Sequence, residues 1–222
     1  NLHQFLLTFR DKLRIFYNQK RRSRFFWELR DGDNKLSLIY PLDSNSTFID
    51  VGGHLGDYSA AIYKKYKCNI YAFEPLLENF EIMRNNLKNY PKIHCINSAL
   101  SNYDGETYIS NLGASSSLFN RKEGSLDKKI SVVSFSTFVK EQNFETIDFV
   151  KMNIEGSEYE LLEEIIESGN ILKITHLQIQ FHNFVENATE QRKNIRNKLK
   201  KTHVNIFNFP FIWERWDIKN DK

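Results

Sequence analysis

The stretch 48–66, FIDVGGHLGDYSAAIYKKY, constrains the fold of this chain more than any other. A short apolar run, 48–51, ends at two adjacent glycines, and a pattern with helical periodicity follows over 56–66. A strand that leads through a glycine turn directly into a helix is typical of α/β folds, where the turn brings the backbone close to a nucleotide-like ligand. We therefore expect this turn to be a ligand-binding loop.

Short apolar runs and longer amphipathic segments alternate along the rest of the chain. Strands are predicted at 47–51, 69–73, 92–97, 147–152 and 176–181, and helices at 56–66, 76–89, 134–143, 157–168 and 188–201. Residues 202–209 and 211–218 flank Pro210 and predict two adjacent antiparallel strands. Strands separated by helices favour right-handed βαβ units. The pattern thus predicts an α/β fold with a seven-stranded, mostly parallel sheet, an antiparallel C-terminal hairpin and helices on both faces.

The segment 104–133 interrupts this alternation with polar, serine-rich sequence. We expect strand or loop excursions over one edge of the sheet. Within them, Ser115–Ser117 form either a solvent-exposed loop or a loop that covers the site.

Composition limits the class of protein. The chain has 222 residues, of which 41% are hydrophobic and 27% charged, as expected for one globular domain. No apolar run approaches the roughly 18 residues of a membrane span. Cys68 and Cys95 lie outside any CxxC motif, which disfavours a disulfide framework and favours a reducing cytoplasm.

Positive charge is concentrated near the start of the chain. Residues 1–30 carry eight lysines and arginines against Asp11 and Glu28. They predict one or two amphipathic helices, with an apolar face that includes Leu6, Phe9, Leu13, Phe16 and Tyr17. We divide the chain into a basic helical extension, 1–34, and a main domain, 35–222.

Three interpretations of the basic extension remain open. It binds anionic lipid at the inner face of the membrane, it contacts a second subunit in a homo-oligomer, or it covers one edge of its own domain. Nucleic acid is disfavoured as a partner because no recognition motif accompanies the charge.

The glycine loop does not suit a dinucleotide. The fingerprint G-x-G-x-x-G, started at Gly52, places His54 and Asp57 where glycines are required. Asp57 would also lie at the helix N-terminus, where it would repel a pyrophosphate. The loop therefore disfavours NAD and FAD.

The same loop suits S-adenosylmethionine. It reads D-x-G-x-x-x-G, with Asp50, Gly52 and Gly56, and Glu74 closes the next strand about 20 residues later. An acidic residue at that place accepts hydrogen bonds from ribose hydroxyls. We expect Asp50 to pair with the amino group of the cofactor. Tyr58 and Ser59 begin the following helix, where they either reach the methionine portion of the cofactor or pack in the first helical turn.

The combination FIDVGGHLGDYS, YAFEP, INSALSNYDG and IDFVKMNIEGSEYELL with a tryptophan-rich ending resembles the FkbM family of methyltransferases over about 45–218. The resemblance implies a class I (Rossmann-like) methyltransferase fold, S-adenosylmethionine as cofactor, and O-methylation, often of sugars. It assigns Asp50, Gly52, Gly56 and Glu74 to cofactor binding. It also places Asn97 and Ser98 beside the adenine.

One motif departs from the family pattern. The fourth strand commonly ends in K-x-D-x-E-G, whereas this chain has Asn153 in place of the aspartate. The change weakens any mechanism that needs a metal ion or a base at that residue.

Three side chains at strand ends are candidates for the chemistry. An alcohol is a poor nucleophile while protonated, so a general base or a metal ion is expected near it. Glu155 is the first candidate for the site, His182 is a candidate base at neutral pH, and Asn153 is expected to orient the acceptor hydroxyl or the methionine end of the cofactor. Whether a divalent metal takes part stays open, since Glu155 and His182 are both potential ligands.

The expected function is O-methylation of a carbohydrate hydroxyl with release of S-adenosylhomocysteine. Two alternatives stay open: O-methylation of a small natural product, and non-catalytic binding of S-adenosylmethionine.

Overall fold

The structure is a computed structural model that describes residues 18–110 and 127–219. The predictions for residues 1–17 and for Ser115–Ser117 lie outside the described residues. In the first half, the elements are α1 (Gln19–Leu29), a π-helical turn (Gly32–Leu36), β1 (Thr47–Val51), α2 (Asp57–Tyr66), β2 (Asn69–Phe73), α3 (Leu77–Leu87) and β3 (Ile93–Ile96).

The second half begins with three short strands and continues the alternation. Its elements are β4 (Ala99–Ser101), β5 (Gly105–Ser110), β6 (Asp127–Ser134), α4 (Phe135–Glu141), β7 (Ile147–Met152), α5 (Glu158–Glu167), a 3₁₀ turn (Asn170–Lys173), β8 (Ile174–Ile179), α6 (Ala188–Leu199), β9 (His203–Phe209) and β10 (Trp213–Ile218).

The main sheet has seven strands in the order β3-β2-β1-β7-β8-β10-β9. Strands β3, β2, β1, β7 and β8 are parallel, and β10 is antiparallel to both β8 and β9. This arrangement confirms the predicted sheet and its antiparallel hairpin. Parallel strands are apolar along their whole length because helices cover both of their faces.

Each face of the main sheet has its own core. On one face Val150, Leu177 and Trp216 pack with side chains of α4, α5 and α6 in the largest apolar cluster. On the other face Phe48 and Phe149 stack with ring centroids 4.6 Å apart, under α2 and the segment 38–42. The buried side chains on both faces explain why the predicted and observed strands agree so closely.

Strand β8 is shifted along the chain relative to its prediction, whereas β3, β9 and β10 are one or two residues shorter at their ends. The strand predicted at 176–181 runs from Ile174 to Ile179. The preceding 3₁₀ turn ends at Lys173, so Ile174 can already pair with Ile147 of β7. Phe181 follows the strand and packs in the apolar core without being part of the ladder.

The interrupting segment contributes β5 and most of β6 to a second, three-stranded sheet in the order β4-β6-β5. Ile109 of β5 and Ile130 of β6 pack against Leu76, which lies three residues after the end of β2. The small sheet thereby reaches the carboxyl edge of the main sheet.

Helix α1 covers part of the C-terminal hairpin. The Trp27 ring is fully buried and meets Phe209 edge-on with centroids 5.3 Å apart. Its Nε1 donates to Asp33 at 2.9 Å, within the π-helical turn that spans the boundary predicted at residue 34. Three interpretations of the basic extension were open. For residues 19–29, this packing agrees with the one in which the extension covers an edge of its own domain. In the described ranges, no helix combines the length and apolar character needed to span a membrane.

Candidate active site

A cavity of about 330 Å³ lies at the carboxyl ends of the central parallel strands. The residues that follow β1, β2 and β7 form its base, and the small sheet contributes Ile109, Ile130 and Val132. Ligands of open α/β sheets bind at this edge. The cavity is therefore the candidate site.

The glycine loop after β1 is held against its neighbours at both sides. Gly52 has φ +84°, and a Cβ there would lie 2.2 Å from the backbone oxygen of Asn153. The N–H groups of Gly52 and Gly53 donate to Phe73 O at 3.2 and 2.8 Å. Only glycine allows the loop to approach β7 so closely.

Gly56 does not line the cavity and serves helix packing instead. It precedes α2 with φ +90°, and a Cβ there would lie 2.8 Å from a side-chain carbon of Leu87 on α3. The observed role of Gly56 is therefore to allow the close approach of α2 to α3.

Glu74 presents a carboxylate to the cavity. Its Oε2 accepts from the N–H of His54 and its Oε1 from the N–H of Leu76, both at 3.0 Å. Burial raises the pKa of Glu74, and these two backbone donors oppose the rise. Since a carboxylate has about four lone-pair positions, Glu74 retains acceptor capacity for a ligand.

Asn97 and Ser98 have different roles in the structure. The amide of Asn97 donates to the backbone oxygens of Glu74 and Pro75 at 2.9 and 3.1 Å, and its side chain fixes this segment from outside the cavity. Ser98 lines the cavity itself.

Asp50 is fully buried behind the loop and does not line the cavity. Its Oδ1 accepts from Lys151 Nζ at 2.8 Å and its Oδ2 from Ser59 Oγ at 2.7 Å. Lys151 Nζ also donates to Gly52 O at 2.9 Å. The expected direct contact of Asp50 and Ser59 with a cofactor is thus replaced by support of the loop through Lys151, which itself lines the cavity.

Tyr58 lines the cavity, but its hydroxyl points elsewhere. The hydroxyl donates to Ser37 O, and burial raises its pKa well above the usual value. The ring lies 5.4 Å from Lys151 Nζ. Tyr58 therefore contributes its aromatic ring, and not its hydroxyl proton, to the site.

Asn153 has a buried side-chain oxygen that accepts no hydrogen bond from the described residues. Its backbone N–H donates to Val51 O at 3.1 Å, whereas its Oδ1 is buried without a hydrogen-bond partner within the described residues. A buried acceptor without a partner is costly. In a residue that lines a cavity, such an atom points to a ligand with a donor group.

Glu155 follows β7 and His182 follows β8, and the pairing of these two parallel strands brings the side chains together. Glu155 lines the cavity and has φ +50°. His182 Nε2 lies 3.5 Å from its Oε2. His182 does not line the cavity and is 4% exposed, so it reaches the site only through Glu155.

Burial lowers the pKa of His182, but hydrogen bonds to Glu155 and to Glu158 outweigh this effect and raise it to about 9. An imidazole that is already protonated cannot accept a proton at neutral pH. The expectation of His182 as the base therefore conflicts with its surroundings.

The described residues hold no cluster of three or more histidine, cysteine, aspartate or glutamate side chains suited to a metal ion. Sequence reasoning missed Glu158 and the apolar wall formed by Ile109 and Ile130. The IEGSE motif held the signal for Glu158. The wall had no such signal, because its strands are rich in polar residues and belong to the segment that interrupts the alternation.

The fold and the cavity define a class I methyltransferase. The strand order, the antiparallel hairpin, the glycine loop after β1 and the acidic residue after β2 together characterise this class, whose methyl donor is S-adenosylmethionine.

The chain belongs to the FkbM family of methyltransferases, because the Methyltransferase FkbM domain matches residues 50–206. No curated protein matches the chain in sequence.

Two solved structures share the fold. One, from Streptococcus mutans, is described as a methyltransferase in complex with S-adenosylhomocysteine. It is 12% identical, covers 86% of this chain and 97% of its own, and has a TM-score of 0.52. The other, from Clostridium thermocellum, is described as an rRNA methylase. It is 8% identical, with coverage of 87% and 97% and a TM-score of 0.52.

Proposed function

We propose that this chain is an O-methyltransferase that transfers the methyl group of S-adenosylmethionine to a carbohydrate hydroxyl. The observation that carries the proposal is that one cavity is lined both by a cofactor-type carboxylate, Glu74 after β2, and by a second carboxylate, Glu155 after β7. The sugar as acceptor class is supported by the family resemblance.

The residues present fit the cofactor. Glu74 would accept from the ribose hydroxyls, and Asn153 Oδ1, which has no partner within the described ranges, would accept from the amino group. Ile109, Ile130 and Leu76 would contact the adenine. When bound, S-adenosylmethionine supplies an electrophilic methyl group.

Removal of the proton from the acceptor hydroxyl would be the role of Glu155. A positioned carboxylate can take the proton of the acceptor hydroxyl as the oxygen attacks, and general-base help of this kind contributes about 10²–10⁴-fold. Positioning of the acceptor oxygen beside the methyl carbon adds further acceleration.

Calorimetric titration with S-adenosylhomocysteine tests the cofactor site. We expect micromolar binding by the wild type and a loss of about 10- to 100-fold in Glu74→Gln, since a hydrogen bond to a charged group is worth about 1.5–3 kcal/mol. Glu81→Gln is the matched control, because Glu81 is exposed on α3 and pairs only with Arg84 among the described side chains. Equal affinity in all three proteins would contradict the assignment of Glu74.

Release of S-adenosylhomocysteine in the presence of a panel of methyl glycosides tests the acceptor class. Turnover with a glycoside that falls about 100-fold or more in Glu155→Gln supports the proposal. Turnover only with phenolic or other small alcohols would favour a natural product as acceptor. Tight cofactor binding without turnover on any alcohol would favour the non-catalytic alternative.

We also propose that the enzyme works in the cytoplasm at an anionic membrane surface, which it contacts through α1. The outward face of α1 exposes Phe26 at 45% and Leu29 at 54% among exposed arginines: Arg21, Arg22 and Arg24. Aromatic and aliphatic side chains among arginines suit a lipid interface. Contact with a second subunit is the competing interpretation of the same face.

A further inference from the structure

A fully buried carboxylate lies behind the candidate base. Glu158, the first residue of α5, is 0% exposed. Its Oε2 accepts from the N–H of Gly156 at 2.8 Å, and its Oε1 accepts from the N–H of His182 at 2.6 Å. Because a buried charge is costly unless it is paired, the Glu158 carboxylate requires a partner.

His182 is that partner, and it faces carboxylates on both sides. Its Nδ1 lies 3.1 Å from Glu158 Oε1, and its Nε2 lies 3.5 Å from Glu155 Oε2. Its backbone oxygen accepts from the Tyr159 hydroxyl at 2.8 Å, and the ring of Phe184 lies 5.3 Å from its own. The backbone and the ring of His182 thus both have partners, and each ring nitrogen lies near a carboxylate oxygen.

We propose that His182 and Glu158 are positioning residues for the methyl transfer: His182 holds the carboxylate of Glu155 at the cavity, and Glu158 holds and charges His182. The inference rests on the proposed function. It replaces His182 as the base by Glu155, and it adds a residue that the cavity itself does not reveal.

The charges of the three groups explain why Glu158 is needed. Without Glu158, the described carboxylate beside the His182 ring would be Glu155 alone. Glu158 places a second carboxylate at the opposite ring nitrogen, so the positive charge of a protonated His182 is shared between two carboxylates.

The proton and electrons balance. The acceptor oxygen forms a bond to the methyl carbon as the carbon–sulfur bond breaks, and the electron pair of that bond stays on sulfur. The hydroxyl proton passes to Glu155 and is released to solvent after product leaves. The strained φ of +50° at Glu155 is the kind of backbone conformation that persists at functional sites because its surroundings enforce it.

Nitrogen NMR of ¹⁵N-histidine-labelled protein with bound S-adenosylhomocysteine tests the cluster without any acceptor. We expect His182 to carry protons on both ring nitrogens at pH 7, and to titrate at lower pH in Glu155→Gln and in Glu158→Gln. Glu164→Gln is the matched control: Glu164 also lies on α5, bonded to Ser136, away from the cavity. A neutral His182 in the wild type, or a titration that Glu155→Gln leaves unchanged, overturns the inference.

Replacing S-adenosylhomocysteine by S-adenosylmethionine links the cluster to the reacting centre. The sulfonium charge should lower the pH at which His182 titrates, whereas an identical titration with both ligands would place the cluster away from the methyl group and overturn the inference. If Glu158→Gln fails to fold, Glu155→Gln and the ligand comparison still decide.

Kinetics with whichever glycoside turns over give the third readout. Glu158→Gln should lower kcat on the order of tenfold with an unchanged KM for S-adenosylmethionine, and Glu158→Asp should restore part of the loss. An unchanged kcat in Glu158→Gln overturns the inference. Absence of turnover with every glycoside would refute the proposed acceptor class, while the NMR comparison judges the cluster independently.

Discussion

At the scale of single residues, the two loops that border the cavity contain unusual backbone conformations. Positive φ occurs at Gly52, His54 and Gly56 in the loop after β1, and at Glu155 and Gly156 in the loop after β7. Such conformations cost about 1–3 kcal/mol in a non-glycine residue and persist where surrounding contacts enforce them. Here the contacts are those that join the loops of neighbouring strands.

The substitution Gly52→Ala tests this steric argument. Because the new Cβ would lie 2.2 Å from Asn153 O, we expect a loss of more than about 2 kcal/mol in the free energy of unfolding and a collapse of S-adenosylhomocysteine affinity. Gly169→Ala is the matched control, since Gly169 has φ +79° with nothing within 4 Å of the added Cβ. It should cost about 1–2 kcal/mol and leave affinity intact. Urea unfolding and calorimetry measure both, and equal effects would refute the steric account.

His182 predicts a specific dependence of stability on pH. Its pKa is raised to about 9 in the folded protein, from about 6.5 when unfolded, so its contribution is complete below about pH 6.5 and is lost as the pH rises through 9. The difference in unfolding free energy between wild type and His182→Gln should therefore shrink by on the order of 3 kcal/mol from pH 6 to pH 10. Urea titrations at these values measure it. A difference that does not vary with pH would show that His182 gains no charge on folding.

At the scale of elements, α1 has apolar side chains on two sides, of which one is buried and the other exposed. Its inner side is fixed by Trp27, while Phe26 and Leu29 on its outer side are exposed. Its position against Phe209 and Ile212 brings it to the end of the hairpin that lies at the carboxyl edge of β8. A membrane bound by α1 would therefore lie on the same edge of the sheet as the cavity.

Vesicle flotation tests this contact. We expect the protein to bind vesicles of phosphatidylcholine with phosphatidylglycerol but not phosphatidylcholine alone, and to lose most binding both in Arg21→Glu/Arg22→Glu/Arg24→Glu and in Phe26→Ser/Leu29→Ser. The matched charge control reverses three exposed lysines elsewhere: Lys64, Lys140 and Lys193.

An equal loss of vesicle binding in the lysine control would show that only net charge matters, and would contradict a specific membrane-binding surface on α1. Binding to RNA that depends on the arginines but not on Phe26 and Leu29 would contradict the membrane as partner. A dimer in light scattering that Phe26→Ser/Leu29→Ser dissociates would favour the subunit contact instead.

At the scale of the whole molecule, the site exists only because two sheets meet. The main sheet provides the loops that carry charge, and the small sheet provides an apolar wall through Ile109 and Ile130. The FkbM family match covers residues 50–206 and so includes strands of both sheets. Separation of the sheets would therefore open the cavity without altering any of its charged residues.

The variant Ile130→Ala measures the contribution of the wall. Loss of apolar contact with the adenine should weaken S-adenosylhomocysteine binding about tenfold, corresponding to about 1.4 kcal/mol. Ile206→Ala, at a side chain that is 51% exposed on β9, is the control and should change nothing. Calorimetry with adenosine alone distinguishes this contact from an effect on the methionine end, and undiminished adenosine binding would contradict it.

Local patterns were sufficient for most of the architecture. The bounds of β1, β2 and β7 match the prediction because strands covered on both faces are apolar along their length, and the helices follow from their periodicity. The loop at Gly52 could be located because few residues other than glycine tolerate its φ. The sequence by itself therefore determined the fold class, the family and the position of the cofactor loop.

Only the tertiary structure decided which charges pair. Asp50 and Lys151 are 101 residues apart and meet because β1 and β7 pair in register. The same dependence gives His182 two carboxylate neighbours, which raise its pKa and disfavour it as a base. A side chain's partners set its protonation state, and partners on separate strands are fixed by register and packing, which no local pattern encodes.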